Sequence, residues 1–297
     1  MDLPPENTLT VIDIASGCGA LGAAAGGSLA RLTGRPVRTV GYVERDLASA
    51  GLLVARIEAG ELDPAPVWTD ARTFYGSAWR GCVDLLVAGY PCQPFSKSGT
   101  QLGHSDPRSL WDHVSRIIED VAPTAVFLEN VDHHLRLGFR RVAEDLRALG
   151  FSVSATIVGA AEIGASHVRD RLFVLGWKGE QALADAHCER QSWNSRSPWE
   201  HSRLSSGDRM VAPPPAIASD RWFSLTESLG SSFAPASLPN LRELADGFSG
   251  ANVGTSPHVE LSDSQALRIL GNSVDPLQVA YAFDLLWLGG GRDDLGK

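Results

Sequence analysis

A cysteine held between two prolines, in PCQPFS at residues 91–96, carries the strongest chemical signal in the chain. It follows the apolar run VDLLVAGY (83–90), which reads as a buried parallel strand ending at Gly89. The prolines restrict the backbone on either side. The carboxyl end of such a strand borders the ligand crevice of an open α/β sheet. Cys92 is therefore placed to act as a nucleophile, in its thiolate form. A lone cysteine is more often a small core residue, so the reading depends on the residues around it.

Four further groups keep it company. SGCGALG (16–22) matches GxGxxG through Gly17, Gly19 and Gly22 and follows an apolar run directly. Glycines there let the backbone approach a ligand, and the helix that follows offers free N–H groups. Glu44 closes a second apolar run, placed to accept hydrogen bonds from ribose hydroxyls, and Asp70 in VWTDARTF is a candidate partner for an adenine amino group. This set suits a nicotinamide cofactor as well as S-adenosylmethionine, and the glycines could equally serve helix packing. ENV (129–131) ends another apolar run and brings the Glu129 carboxylate to the same sheet edge as Cys92, an acid beside a nucleophile. In HVRDRLF (167–173), Arg169 and Arg171 stand two apart and so share a strand face. GNSV (271–274) precedes a final apolar helix. The plainer readings are a helix cap for Glu129, a solvated pair for the arginines and a turn for GNSV.

Positioning these residues requires a sheet. Strands are expected at 9–16, 37–44, 83–90 and 124–131, and helices at 21–32, 47–59, 109–121 and 139–149. Segments 151–158 and 171–177 are adjacent and could pair as an antiparallel edge. Alternation of this kind predicts a doubly wound, Rossmann-like α/β fold. The pattern stops after Trp177: residues 178–237 are rich in Ser, Arg, Trp and Pro, including Pro213, Pro214 and Pro215. Trp193, Trp199 and Trp222 argue against a disordered linker, which would be poor in aromatics. Regular patterning returns at 263–269 and after Pro276, which suits a first helical position; LQVAYAFDLLW should dock on the main sheet. The expected division is a catalytic domain of residues 1–177 plus 268–297, interrupted by a small, irregular domain at 178–267.

A chain of 297 residues with 43% hydrophobic and 21% charged residues has ordinary globular composition. The net charge of −9 argues mildly against a nucleic-acid partner, but total charge is a poor guide to one face. Arg136, Arg140, Arg141 and Arg147 have the spacing of a solvated helix face. Arg190, Arg196, Arg203 and Arg209 lie where no periodicity explains them. The four cysteines show no CxxC and no metal-ligand spacing, so no metal is expected. The first residues lack the regions of a signal peptide, and no apolar run approaches membrane-spanning length. A cytoplasmic protein with free thiols and no membrane partner is expected.

In this order, DIASGCGALG, Glu44, PCQPFS, ENV, HVRDR, RELADGF and GNSV resemble the ordered motifs of the DNA cytosine-5 methyltransferases of bacteria and phages. The resemblance covers most of 11–177 and resumes over 242–286, and PCQPFS, ENV and GNSV are its most specific parts. It implies a methyl transfer from S-adenosylmethionine, leaving S-adenosyl-L-homocysteine, to C5 of a cytosine flipped out of double-stranded DNA. Cys92 would attack C6, and Glu129 would bind N3 and the exocyclic amine. Arg171 would hold the base carbonyl, Arg169 would position the loop or a phosphate, and Asn130 and Gln93 would support the catalytic loop. The cofactor would lie against Asp13, Ala15, Gly17, Cys18, Gly19, Leu21, Glu44, Arg45, Asp70, Ala71, Gly89, Pro91, Asn272 and Ser273. Ser96, Lys97 and Arg108, in a loop expected to close on DNA, would meet the substrate together with Arg190, Arg196, Arg203 and Arg209, and residues 178–267 would form the target recognition domain.

Two departures concern the cofactor: Ala15 stands where the family usually has an aromatic on adenine, and Arg45 where a bulky aromatic often follows the ribose-binding acid. His167 replaces a commoner Gln. The resemblance allows a cognate restriction endonuclease as partner and monomeric action. Three other readings stay open: a nicotinamide oxidoreductase, a non-catalytic DNA-binding relative and an RNA methyltransferase.

Overall fold

A computed structural model of the chain describes residues 7–90, 110–165, 169–179 and 262–289. Its centre is a seven-stranded sheet: β1 (Leu9–Ile14), β2 (Val37–Val43), β3 (Val67–Trp68), β4 (Leu85–Ala88), β5 (Ala125–Val131), β6 (Ser152–Gly159) and β7 (Asp170–Trp177). The order across it is β3-β2-β1-β4-β5-β7-β6, with β7 alone antiparallel to its two neighbours. Helices α1 (Ala20–Thr33), α2 (Leu47–Glu58), α3 (Trp111–Val121), α4 (His134–Leu137), α5 (Phe139–Ala148), α6 (Asp263–Asn272) and α7 (Pro276–Gly289) surround it.

Strand alternation sorts the two faces. Ile12, Leu86, Leu128 and Leu172 pack beneath α3 and α5, with Trp111, Ile117, Val142 and Leu146. Val11, Val87, Phe127 and Phe173 face α1 and α7, with Leu21, Ala25 and Phe283. On that side Phe127 stacks on Phe173 at 5.7 Å and meets Phe283 edge-on at 4.9 Å, which anchors α7 to β5 and β7. The buried Gln278 amide of α7 donates to the carbonyls of Val158 (2.6 Å) and Arg169 (2.8 Å), tying the helix to both antiparallel strands. Arg31 of α1 pairs with Asp284 of α7 at 2.5 Å. The last helix thus closes the main sheet, as its apolar sequence predicts.

The doubly wound class is as expected, and the segments at 151–158 and 171–177 do pair antiparallel. The difference lies in their order. β7 inserts next to β5 and leaves β6 at the edge. The burial agrees: RLFVLGW is apolar nearly throughout and buried on both faces, while β6 interleaves Ser and Thr and stays half-exposed. The two-residue β3 is too short to show any period and was not foreseen. Helix α6 begins at Asp263, so a domain division at 267/268 falls inside a single helix. That helix packs on the main domain: Ile269 lies with Cys18, Ala20 and Leu52, and Arg268 pairs with Asp46 at 2.7 Å.

Candidate active site

The carboxyl edge of β1 turns sharply into α1. Ala15 and Gly17 both adopt left-handed backbone (φ 56° and 57°), and a Cβ on Gly17 would meet nothing within 4 Å. Ser16, which the sequence does not single out, fixes the turn. Its hydroxyl donates to the Asp13 carbonyl (2.7 Å) and accepts from the Val43 amide (3.2 Å), joining the ends of β1 and β2. Glu44, just past β2, accepts from the Gly17 amide and the Asp46 amide, each at 2.7 Å. Cys18 lies 3.4 Å from Ser273, so the glycine turn touches the GNSV segment; Asn272 beside it is exposed. Leu21 is buried and reaches toward Gly89.

Beneath this turn Asp13 is fully buried, and neither carboxylate oxygen has a hydrogen-bond partner. Burial, reinforced by the Glu44 charge, pushes its carboxyl up to about 8, with the nearby Gly22 amide acting in the opposite direction. Gly22 is required here by space: a Cβ would stand 2.4 Å from an Asp13 oxygen. Farther along the edge, Asp70 takes a bidentate grip from Arg72, with Arg72 Nη2 at 2.6 Å from Oδ2 and the Arg72 amide at 3.0 Å from Oδ1. Arg72, with a smaller contribution from Arg45, holds the Asp70 carboxyl down near 2. Ala71 is buried and Arg45 exposed.

At the other side of β1, Glu129 of β5 and Arg171 of β7 form an ion pair of 3.0 Å whose side chains are 14% and 17% exposed. Desolvation raises the Glu129 carboxyl above the usual range, opposed by the charges of Arg171 and Arg169. Arg169 donates to the Gly271 carbonyl at 3.0 Å, linking the two arginines to the GNSV segment. Its own proton affinity falls to about 10, chiefly from burial and then from Arg171. Gly89, just past β4, lies beside this group: a Cβ on it would stand 3.6 Å from a Glu129 oxygen, an ordinary contact, and more tightly, 3.2 Å, from Leu21. Cys92 is three residues farther along the chain.

Successive residues of β5 serve opposite faces. Glu129 turns toward Gly89 and Arg171, whereas Asn130 turns behind the sheet, donating to the Tyr90 carbonyl at 3.2 Å and accepting from the Val131 amide at 2.9 Å. Tyr90 and His134, which no local sequence pattern marks as a pair, meet there, hydroxyl to Nε2, at 3.0 Å. Pro91, Cys92, Gln93, Ser96, Lys97, Arg108, His167, Arg190, Arg196, Arg203 and Arg209 lie outside the described residues. Among the described residues, no cluster of metal-ligating side chains occurs, and no helix is long and apolar enough to cross a membrane.

The fold is that of the Rossmann-like methyltransferases. It resembles the solved structures of the Entamoeba histolytica methyltransferase EhMeth (TM-score 0.58, 15% identity, 98% of this chain and 100% of that one) and of the S. pombe Dnmt2 methyltransferase (TM-score 0.56, 17% identity, 96% and 100%). Within that class, the chain belongs to the C-5 cytosine-specific DNA methylase family, whose model matches residues 9–221. Among curated relatives, the type II methyltransferase M.NgoMIV of Neisseria gonorrhoeae is 36% identical over 115 residues, 37% of this chain. The match spans about a third (36%) of that relative's length.

Proposed function

We propose that this protein transfers a methyl group from S-adenosylmethionine to C5 of cytosine in double-stranded DNA, through a transient bond between Cys92 and C6. The observation that carries this reading is the buried Glu129–Arg171 pair at the sheet edge where β4 delivers PCQPFS. Cytosine C5 is a weak nucleophile. Addition of the Cys92 thiolate to C6 pushes ring electrons toward N3, and a proton held there by Glu129 neutralises them. Burial favours the protonated form of Glu129, as this step needs. The enamine so formed is nucleophilic at C5, and bound S-adenosylmethionine supplies the electrophilic methyl. A water molecule then takes the C5 proton, the Sγ–C6 bond breaks to release the Cys92 thiolate, and the N3 proton returns to Glu129, restoring the aromatic ring. Arg171, paired with Glu129, holds the base carbonyl in this reading, and Asn130, bonded to the Tyr90 carbonyl, supports the backbone that leads to Cys92.

The glycine turn suits this cofactor better than a dinucleotide. A pyrophosphate needs free N–H groups and no negative neighbours. Here the Gly17 amide already serves the Glu44 carboxylate, which borders the turn. Such a lining favours a cationic ligand, and S-adenosylmethionine carries a sulfonium and an ammonium. Glu44 retains lone pairs for ribose hydroxyls, and Ser273 and Cys18 border the same turn. Asp70, Ala71, Arg45, Ala15, Gly19, Leu21, Gly89, Pro91 and Asn272 complete the proposed lining. Residues 178–267, with Arg190, Arg196, Arg203 and Arg209, are assigned to target recognition, and Ser96, Lys97 and Arg108 to the DNA near the flipped base. A cognate endonuclease fits the type II relatives.

The test is transfer of tritiated methyl from S-adenosylmethionine to mixed-sequence DNA, with Cys92→Ala alongside. Label in DNA cytosine that disappears in the variant is the expected result. Label in RNA alone, or none in protein that binds the cofactor, would overturn it.

A further inference from the structure

The chain leaves the sheet at Tyr90 and re-enters regular structure at Trp111, and these two side chains touch. Their ring centroids lie 5.5 Å apart at 44°. Both are buried, at 5% and 1% exposure. Tyr90 and Trp111 therefore meet at one point on the α3 side of the sheet. Each of the two is secured separately. Trp111 donates through Nε1 to Asp145 of α5 at 2.7 Å. The Tyr90 carbonyl receives the Asn130 amide, and the Tyr90 hydroxyl meets Nε2 of His134, itself 1% exposed, at 3.0 Å. The Tyr90 and His134 rings also meet edge-on, with centroids 5.7 Å apart.

Phenylalanine would fill the same space against Trp111, and the hydroxyl's bond to His134 does little more than offset the cost of burying it. Stability alone gives little reason for it. What the hydroxyl adds is direction: a hydrogen bond fixes the ring about its axis and along its length, whereas apolar packing tolerates sliding. His134 opens α4, three residues past the end of β5 and four after Asn130. The strand that carries Glu129 and the helix that follows it therefore hold Tyr90 together, one by its carbonyl and the other by its hydroxyl. Two bonds to one residue fix Tyr90, which precedes Pro91 and Cys92 in the chain.

We infer that Tyr90 and His134 are a positioning pair that sets where Cys92 stands relative to Glu129. Neither residue touches substrate; they act through the backbone of residues 90–92. The inference rests on the proposed function for its catalytic readout alone.

Tyr90→Phe removes the hydroxyl and keeps the ring. The expected result is a roughly tenfold fall in kcat for DNA methylation with KM for S-adenosylmethionine and DNA unchanged, since a small displacement of the nucleophile costs reactivity and not binding. The double variant Tyr90→Phe/His134→Phe replaces the polar pair by an apolar one, which should restore thermal stability but leave kcat low. An unchanged kcat in Tyr90→Phe, or recovery of kcat with stability in the double variant, would overturn the inference and leave the pair a structural contact. A second readout needs no turnover: the iodoacetamide alkylation rate of Cys92 in the substrate-free protein, followed by peptide mass spectrometry, with exposed Cys82 as internal reference. A several-fold change at Cys92 with Cys82 constant supports the positioning role, and identical rates at both overturn it. If the wild type methylates nothing, the functional proposal fails and the alkylation ratio still decides this one.

Discussion

Glu129 and Arg171 come from strands that run in opposite directions, yet their charged groups meet at 3.0 Å on the same face of the sheet. Val131 pairs with Arg171 and Glu129 with Phe173, so the two side chains sit diagonally across the β5–β7 ladder and lean toward each other. Each compensates the other's loss of water. The pair is therefore a structural element as well as the centre of the proposed chemistry.

Arg171→Ala should leave Glu129 buried without its principal counter-charge. A loss of about 3–5 kcal/mol is expected for breaking a buried pair in this way, together with loss of methyl transfer. The pH dependence has a definite sign. The folded Glu129 carboxyl is already raised, and removing Arg171 raises it further. While both folded proteins hold the proton the gap is constant; it opens once pH exceeds the raised wild-type value, where Glu129 ionises beside Arg171 but not in the variant. The stability gap between variant and wild type should thus be wider at about pH 7 than at about pH 4. Urea unfolding at both pH values measures this; a constant gap would mean that the effect is packing alone.

Asp13→Asn should behave oppositely. The buried Asp13 carboxyl is raised from 3.8 to about 8, so the folded protein holds a proton that the unfolded chain releases. Wild type consequently loses stability as pH rises across that interval and levels off above it. The amide variant has no such slope and should gain on wild type as the pH increases. Thermal unfolding compared near pH 5 and pH 8 gives the answer, and parallel curves would show that Asp13 does not titrate abnormally.

Arg72→Ala addresses the proposed adenine side of the cofactor site. Both Asp70 oxygens are engaged by Arg72, an exposed pair that solvent screens and that is of little value to stability. If Asp70 receives the adenine amino group, removing its competitor should tighten S-adenosylmethionine binding by a few-fold and change stability little. Calorimetric titration of wild type and variant tests this. Weaker binding would show instead that Arg72 itself helps hold the cofactor or the turn.

Much of this architecture can be read from the sequence because its cues are local. The runs that became β1, β2, β4 and β5 are apolar and bounded by helices with clear periodicity, and Cys92, Glu129, Arg169, Arg171 and the glycine turn stand at their ends. The insertion of β7 between β5 and β6 depends on long-range pairing, which no local pattern specifies. The difference between RLFVLGW and the Ser-interrupted β6 nonetheless hints at which strand is interior. Ser16, Tyr90 and His134 escaped notice for another reason: each matters through one hydrogen bond whose partner lies far off in the chain, 27 residues for Ser16 with Val43 and 44 for Tyr90 with His134. The free-state engagement of Asp70 by Arg72 could have been suspected from their spacing, but its bidentate geometry could not.

The antiparallel entry of β7 has a further consequence, for the order in which the protein can mature. β4 and β5 join through parallel pairing early in the chain, and Glu129 comes with them. Arg171 arrives only after β6 has been made and the chain has reversed to fill the gap beside β5. Until that non-local step is complete, Glu129 lacks Arg171 as its partner. A slip of one residue as β7 seats would turn Arg171 to the opposite face. The Glu129–Arg171 pair therefore forms only in a chain whose last-placed interior strand has found its register.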